Sequence, residues 1–248
     1  MPKGALLHAH LEATVDASTL LRLGLEHDNM CIRVLGPISP AGLCRILPQF
    51  GARPVAGERE YMTAPTITDA SYVPESWVSA RRAREEWPAA MGGPAGFDAW
   101  VVKSMVINPE EAYGTHNTTR KIWMKFVAAF TVIYVRFFDY PVRCAPERCL
   151  QGIITYEPVL TKYLRCLFEL CAEDGIQYLE VRMDCTPKGI LAADGVSTIN
   201  RDQFIAIFKD VCNTYVQQLR AAGKGDLFRG AKVWSRARFL IPNGLIEW

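Results

Sequence analysis

His8 and His10 are the two residues in this chain whose type and spacing best suit chemistry. They sit in residues 3–16, KGALLHAHLEATVD, just after a short apolar run. Side chains alternate between faces along an extended strand, so a spacing of two puts both imidazoles on one side. Their ring nitrogens can then converge on a single ion. Glu12 shares that parity, although the strand can end before reaching it. Leu6, Leu7 and Ala9 are expected to make a buried parallel strand, apolar on both faces. H-x-H alone is not specific in a chain with four His. Two readings stand at this point. One is part of a metal site, and the other a polar strand end whose imidazoles are hydrogen-bonded and share no ion.

The surrounding residues add to this. Pro2-Lys3-Gly4, Leu6-Leu7, His8-Ala9-His10 and Glu12 together resemble the first barrel strand of the adenosine deaminase-related growth factors. These are the secreted, two-lobed branch of the adenosine/AMP deaminase family. The resemblance implies one Zn²⁺ per complete domain, held by two His of strand one, a His of strand five and an Asp of strand eight. His8 and His10 match the first two. The other ligands, the proton-shuttling Glu and the water-orienting His are expected beyond residue 248, so no catalytic residue is assigned within the chain.

Glu12 stands where relatives usually carry an Asp that accepts from a ribose hydroxyl. It is one methylene longer, and a misplacement of ~1 Å can cost ~100-fold in rate. The alternative for Glu12 is a solvent-facing carboxylate at a helix start. Trp123 matches a W-x-K-F position that lines the family's nucleoside pocket, with core packing as the alternative. Asp184, just past a strand end, is a further pocket candidate. Glu180 and Arg182 match a Glu-x-Arg beneath or beside the metal layer and are expected to have a structural ion-pair role, with direct substrate contact as the alternative, since charges on a buried strand need partners.

The function so implied is hydrolytic deamination of adenosine to inosine and ammonia by a zinc-activated water in the full-length protein. The chain by itself is expected to be inactive. Alternatives are a deaminase of adenine or AMP, and a non-catalytic adenosine-binding or growth-factor-like protein. Full-length relatives are expected to be homodimeric and extracellular. No signal peptide is read in the chain as written.

Composition narrows the classes. Half of the 248 residues are hydrophobic, enough for a substantial core, and the net charge of +2 gives no electrostatic case for nucleic acid. The longest apolar run, around residues 126–135, is about ten residues, too short to span a membrane. The eight Cys show no zinc-knuckle spacing. Cys166 and Cys171 fit one side of a helix, and Cys31 could bridge Cys44 under oxidising conditions. Asn117-Thr118-Thr119 is a glycosylation sequon. His27 and His116 are too weakly placed to nominate as ligands.

Helices are expected over residues 16–25, 97–105, 118–130, 156–174 and 202–219. In the fourth, Tyr156, Leu160, Tyr163, Leu164, Leu167, Phe168 and Cys171 recur at helical spacing, and Gly175 ends it. In the fifth, Phe204, Phe208, Val211, Tyr215 and Leu219 do the same. Strands are expected at residues 30–34, 176–182 and 230–234, and a further helix start near 245–248. Between 36 and 93, seven prolines interrupt every candidate element. Residues 28–95 therefore read as a long insertion after strand one, and Arg81–Glu86 as a solvated helix face. Residues 131–151 look foreign to the family pattern, as an unspliced stretch would. The expected fold is α/β, a partial (β/α)8 TIM-type barrel covering about the first three strands of one incomplete domain, residues 1–248.

Overall fold

The computed structural model describes residues 3–43, 46–53, 64–107, 111–115, 118–133, 152–183 and 190–235. In chain order the main elements are β1 (Gly4–His10), α1 (Ala17–Leu25), β2 (Met30–Arg33), β3 (Gln49–Ala52) and β4 (Val78–Ser79). There follow α2 (Ala80–Glu85), α3 (Gly93–Met105), α4 (Thr119–Ile133) and α5 (Glu157–Glu173). The chain continues through β5 (Ile176–Met183), β6 (Ile190–Leu191), β7 (Thr198–Ile199), α6 (Arg201–Ala221) and β8 (Gly230–Ser235). It divides into two compact units, one comprising residues 1–16, 160–190 and 198–248, the other residues 17–159 and 191–197.

The first unit is built on a three-stranded parallel sheet in the order β1-β5-β8. Parallel neighbours require crossovers, and the helices α5 and α6 supply apolar faces for them. On α5, Leu160, Tyr163, Leu164, Leu167, Phe168 and Cys171 are all buried, as their periodicity predicts. Gly175 follows at φ +75°, a left-handed turn that suits glycine and releases the chain into β5. On α6 the buried stripe is Phe204, Phe208, Cys212, Tyr215 and Val216. Cys212 and Val216 thus take the places expected for Val211 and Leu219, which are half-buried. Phe168 meets Phe208 edge-on at 5.5 Å and Phe228 at 5.4 Å, fixing α5 and α6 in a shared aromatic core. A capping box opens α6, with Asn200 accepting from the Gln203 amide at 2.9 Å and Gln203 from the Asn200 amide at 2.7 Å.

One expectation for β1 is corrected. Leu6 and Leu7 are 38% and 56% exposed, and Ala9 is the strand's buried residue. Among the described residues β1 pairs with one neighbour, β5, so it lies at the sheet's edge and its apolar side chains lack cover. The order of three adjacent parallel strands suits the front of a (β/α)8 barrel and also other parallel α/β sheets.

The second unit holds what sequence reading treats as an insertion. Its sheet is antiparallel, in the order β3-β2-β4, with all four residues of the central β2 buried. Arg33 of β2 and Arg53 place their guanidinium carbons 4.5 and 4.3 Å from the centre of the Trp77 ring. Helix α2 carries the expected charged face, with Arg84 bonded to Asp98 at 2.7 and 2.8 Å, while Ala80 and Ala83 are buried. Trp87 stacks on Trp100 at 5.2 Å and meets Phe97 at 5.3 Å, packing α3. Gly96 permits this, because a Cβ there would lie 1.9 Å from the Met91 carbonyl oxygen. Residues 134–151, most of the stretch expected to be foreign, lie outside the described residues, as do Cys44, His116, Asn117 and residues 236–248. No helix among the described residues is long and apolar enough to cross a membrane.

Candidate functional site

His8 and His10 lie at the carboxyl end of β1, the end of a parallel sheet where α/β proteins bind their ligands. Strict alternation does not put them there. Leu6 pairs with Leu179 and Ala9 with Val181, so Leu7 and His8 together oppose the single residue between those partners, Glu180. Such a bulge bends a strand and re-aims its side chains. The two imidazole centroids are 5.4 Å apart with their planes at 53°. His8 is exposed and His10 half-buried.

The pair can be tested against the geometry of a shared ion. With metal–nitrogen bonds of about 2 Å and a tetrahedral angle, two imidazoles on one zinc have centroids about 5 Å apart. The observed 5.4 Å fits that arrangement. Among the described residues, however, no cluster of three or more His, Cys, Asp or Glu is arranged to hold a metal. Two imidazoles alone fall short of the three protein ligands usual for catalytic zinc.

A row of side chains runs across the sheet beside His10. Its register partner on β5 is Arg182, whose partner on β8 is Trp234. Register partners share a face, and on β5 the same face carries Tyr178 and Glu180, while Leu179 and Val181 are buried on the other. Glu180 and Arg182, expected to serve in structural ion pairing, both go to Trp234. Glu180 Oε2 accepts from the indole Nε1 at 2.7 Å, and the Arg182 guanidinium carbon lies 4.9 Å from the ring centre. The Lys232 ammonium lies 4.7 Å from the same ring. Partial burial, and then the Glu180 charge, push the Tyr178 phenol above its ordinary range. Arg182 Nε has no hydrogen-bond partner among the described residues.

Past His10 the chain tightens into a 3-10 turn, Leu11–Ala13. Glu12 in this turn is 1% exposed, so the expected alternative of a solvent-facing carboxylate is corrected. The turn is tied to α5. Tyr163 Oη donates to the Leu11 carbonyl at 2.6 Å and lies 3.4 Å from both the Thr14 and Val15 amides. Sequence reading assigned Tyr163 only to an apolar face. The available signal was its hydroxyl, which needs a partner when buried.

The remaining candidates fall elsewhere. Trp123 belongs to the second unit, on α4, and is 59% exposed, which corrects the alternative of core packing. His27, also in the second unit, meets Tyr156 edge-on at 5.1 Å. Asp184 lies outside the described residues.

No protein-family model matches the chain. It is similar to a protein named "Adenosine deaminase" from Phlebotomus duboscqi, 22% identical over 247 residues, covering 99% of this chain and 38% of that protein. It is also similar to one named "Adenosine deaminase 2" from Dictyostelium discoideum, 22% identical over 182 residues, covering 73% of this chain and 25% of that protein. The chain thus spans well under half the length of these curated relatives.

Proposed function

We propose that this chain is part of a metal-dependent adenosine deaminase. His8 and His10 supply two ligands of one Zn²⁺, at the carboxyl end of a parallel sheet that continues into a (β/α)8 barrel. The observation that carries this reading is the imidazole pair, 5.4 Å between centroids at the end of β1. Similarity over 99% of the chain to a relative named adenosine deaminase supports it and suggests the substrate. The reaction is hydrolysis of adenosine to inosine and ammonia. A bound zinc would supply hydroxide near neutral pH by lowering the pKa of its water to about 7.

In this reading His8 and His10 bind as neutral imidazoles. Arg182, in register with His10 and stacked on Trp234, keeps a fixed cation beside the site. Glu12, Trp123 and Asp184 are the proposed nucleoside contacts. At 1% exposure, Glu12 in the Leu11–Ala13 turn is almost wholly buried. Trp123, at 59% exposure, offers a ring on which a base can stack. The growth-factor branch, secretion and a homodimeric full-length protein belong to the same reading.

Catalytic zinc normally takes three protein ligands and a water, so the 248-residue chain is predicted to be inactive alone. The test is to supply the purified chain with Zn²⁺ and adenosine, follow inosine by chromatography, and measure zinc affinity by chelator competition. We expect no inosine above a zinc-free control, and zinc affinity at least tenfold weaker in His8→Ala/His10→Ala, in line with loss of direct ligands. Zinc-dependent turnover would overturn the predicted inactivity. Unchanged zinc binding in the double variant would overturn the ligand assignment.

A further inference from the structure

We propose that Tyr163 is the positioning residue of the His10–Glu12 corner, acting through the backbone at the end of β1. The inference rests on the metal-site reading of His8 and His10. A 3-10 turn of three residues cannot satisfy its own ends, so the groups around Leu11–Ala13 need outside partners. Tyr163 supplies them from a position 152 residues further along the chain. Its phenol donates to the Leu11 carbonyl at 2.6 Å, sits 3.4 Å from the Thr14 and Val15 amides, and shares a 3.2 Å contact with the Thr14 hydroxyl. Thr14 Oγ1 donates to the same Leu11 carbonyl at 2.8 Å, so two hydroxyls converge on one backbone acceptor.

The clamp is rigid at its other end. Tyr163 is fully buried in the α5 stripe between Leu160, Leu164 and Leu167, so its ring cannot swing away without opening the core. Burial, with a contribution from the Glu12 charge, holds its pKa above the ordinary range, so the phenol keeps the proton it donates. Leu11 follows His10 directly, so the carbonyl held by Tyr163 is one residue from a proposed ligand. β1 pairs with only one strand among the described residues and carries a bulge at Leu7–His8. A strand end with one neighbour and a bulge gains from a fixed point if two imidazoles are to keep one spacing. Tyr163 is that point, and its role falls on ligand geometry rather than on the chemistry itself.

The test uses the 248-residue chain with Zn²⁺ alone as the probe. Four proteins are compared: wild type, His8→Ala/His10→Ala, Tyr163→Phe and Phe168→Leu. Tyr163→Phe keeps the ring and deletes the hydroxyl. Phe168→Leu thins the aromatic core with Phe208 and Phe228, and serves as a control for general loosening of α5. Zinc affinity and hydrogen exchange at the Thr14 and Val15 amides are the readouts. We expect Tyr163→Phe to weaken zinc binding about tenfold, the lower end of the range for groups that orient ligands. The two amides should exchange about tenfold faster, and Phe168→Leu should leave both readouts near wild type. Wild-type affinity in Tyr163→Phe, or equal weakening by Phe168→Leu, overturns the positioning role while leaving the metal site standing. If the double His variant binds zinc as wild type does, the metal-site reading fails and takes this inference with it.

Discussion

Trp234 and Glu180 offer a quantitative test of how the sheet face that carries Arg182 is held. Their hydrogen bond joins β8 to β5 at 2.7 Å, with the Arg182 and Lys232 cations 4.9 and 4.7 Å from the same ring. A hydrogen bond to a charged group contributes about 1.5–3 kcal/mol net. Both residues are half-buried, so solvent screening brings the expected coupling down to about 1 kcal/mol. The perturbation is a double-mutant cycle of Glu180→Ala and Trp234→Phe, read by urea unfolding followed by circular dichroism. Each single variant also loses packing, and the cycle cancels that part. Glu180→Gln, which keeps an acceptor oxygen and drops the charge, should recover about half of the coupling. A parallel cycle with Arg182→Gln tests an ion pair between Glu180 and Arg182 as the rival arrangement. If Glu180 couples to Arg182 by about 1 kcal/mol and to Trp234 by less than about 0.3 kcal/mol, the arrangement on Trp234 is wrong.

Two further outcomes follow from burial and close contact. Gly96→Ala should destabilise the second unit by about 3 kcal/mol or more, because its Cβ would lie 1.9 Å from a backbone oxygen that cannot yield. Gly24→Ala, whose Cβ would meet the movable Ile153 side chain at 2.7 Å, should cost about 1–2 kcal/mol, and equal unfolding midpoints for the two would contradict this. The Cys171 thiol is pushed up to about 11 by burial and the Asp174 charge. Its pKa is thus above the unfolded value, so its contribution to stability is whole below pH ~9 and is lost as pH rises toward ~11. Iodoacetamide at pH 8 should alkylate Cys171 about 100-fold more slowly in the native chain than in urea, and equal rates by peptide mass spectrometry would refute the shift.

The parts of the fold legible in the sequence are those whose signal is local and repeated. Helices α5 and α6 show it best, because several turns of apolar side chains at one spacing leave little choice of buried face. Residues 36–93 show the opposite. Their prolines hide β3 and β4, strands of four and two residues that are too short to display any period. Burial of β1 was misjudged for a different reason. Composition says that Leu6 and Leu7 prefer cover, but cover is supplied by neighbouring strands, and β1 has one such neighbour among the described residues. The partners of Glu180 and of Tyr163 lie 54 and 152 residues away, and no spacing rule reaches that far.

The histidine pair lies close together for a reason that period-two alternation does not supply. Period-two alternation predicted that His8 and His10 share a face, and it assumed an unbroken ladder. The ladder is broken at those residues, since two residues of β1 stand against one of β5. An extra residue normally shifts later side chains to the opposite face of the sheet. Here the shift falls between Leu6 and Ala9, so it separates the apolar start of the strand from its histidine end. Leu6 keeps its register with Leu179, Ala9 is buried in register with Val181, and His10 is left in the row of Arg182 and Trp234. The direction of His8 is set within the bulge itself, where backbone geometry is least constrained by pairing. The spacing of two imidazoles 5.4 Å apart at such a point depends in part on what holds the strand after them, and the Tyr163 clamp on Leu11 is one such hold.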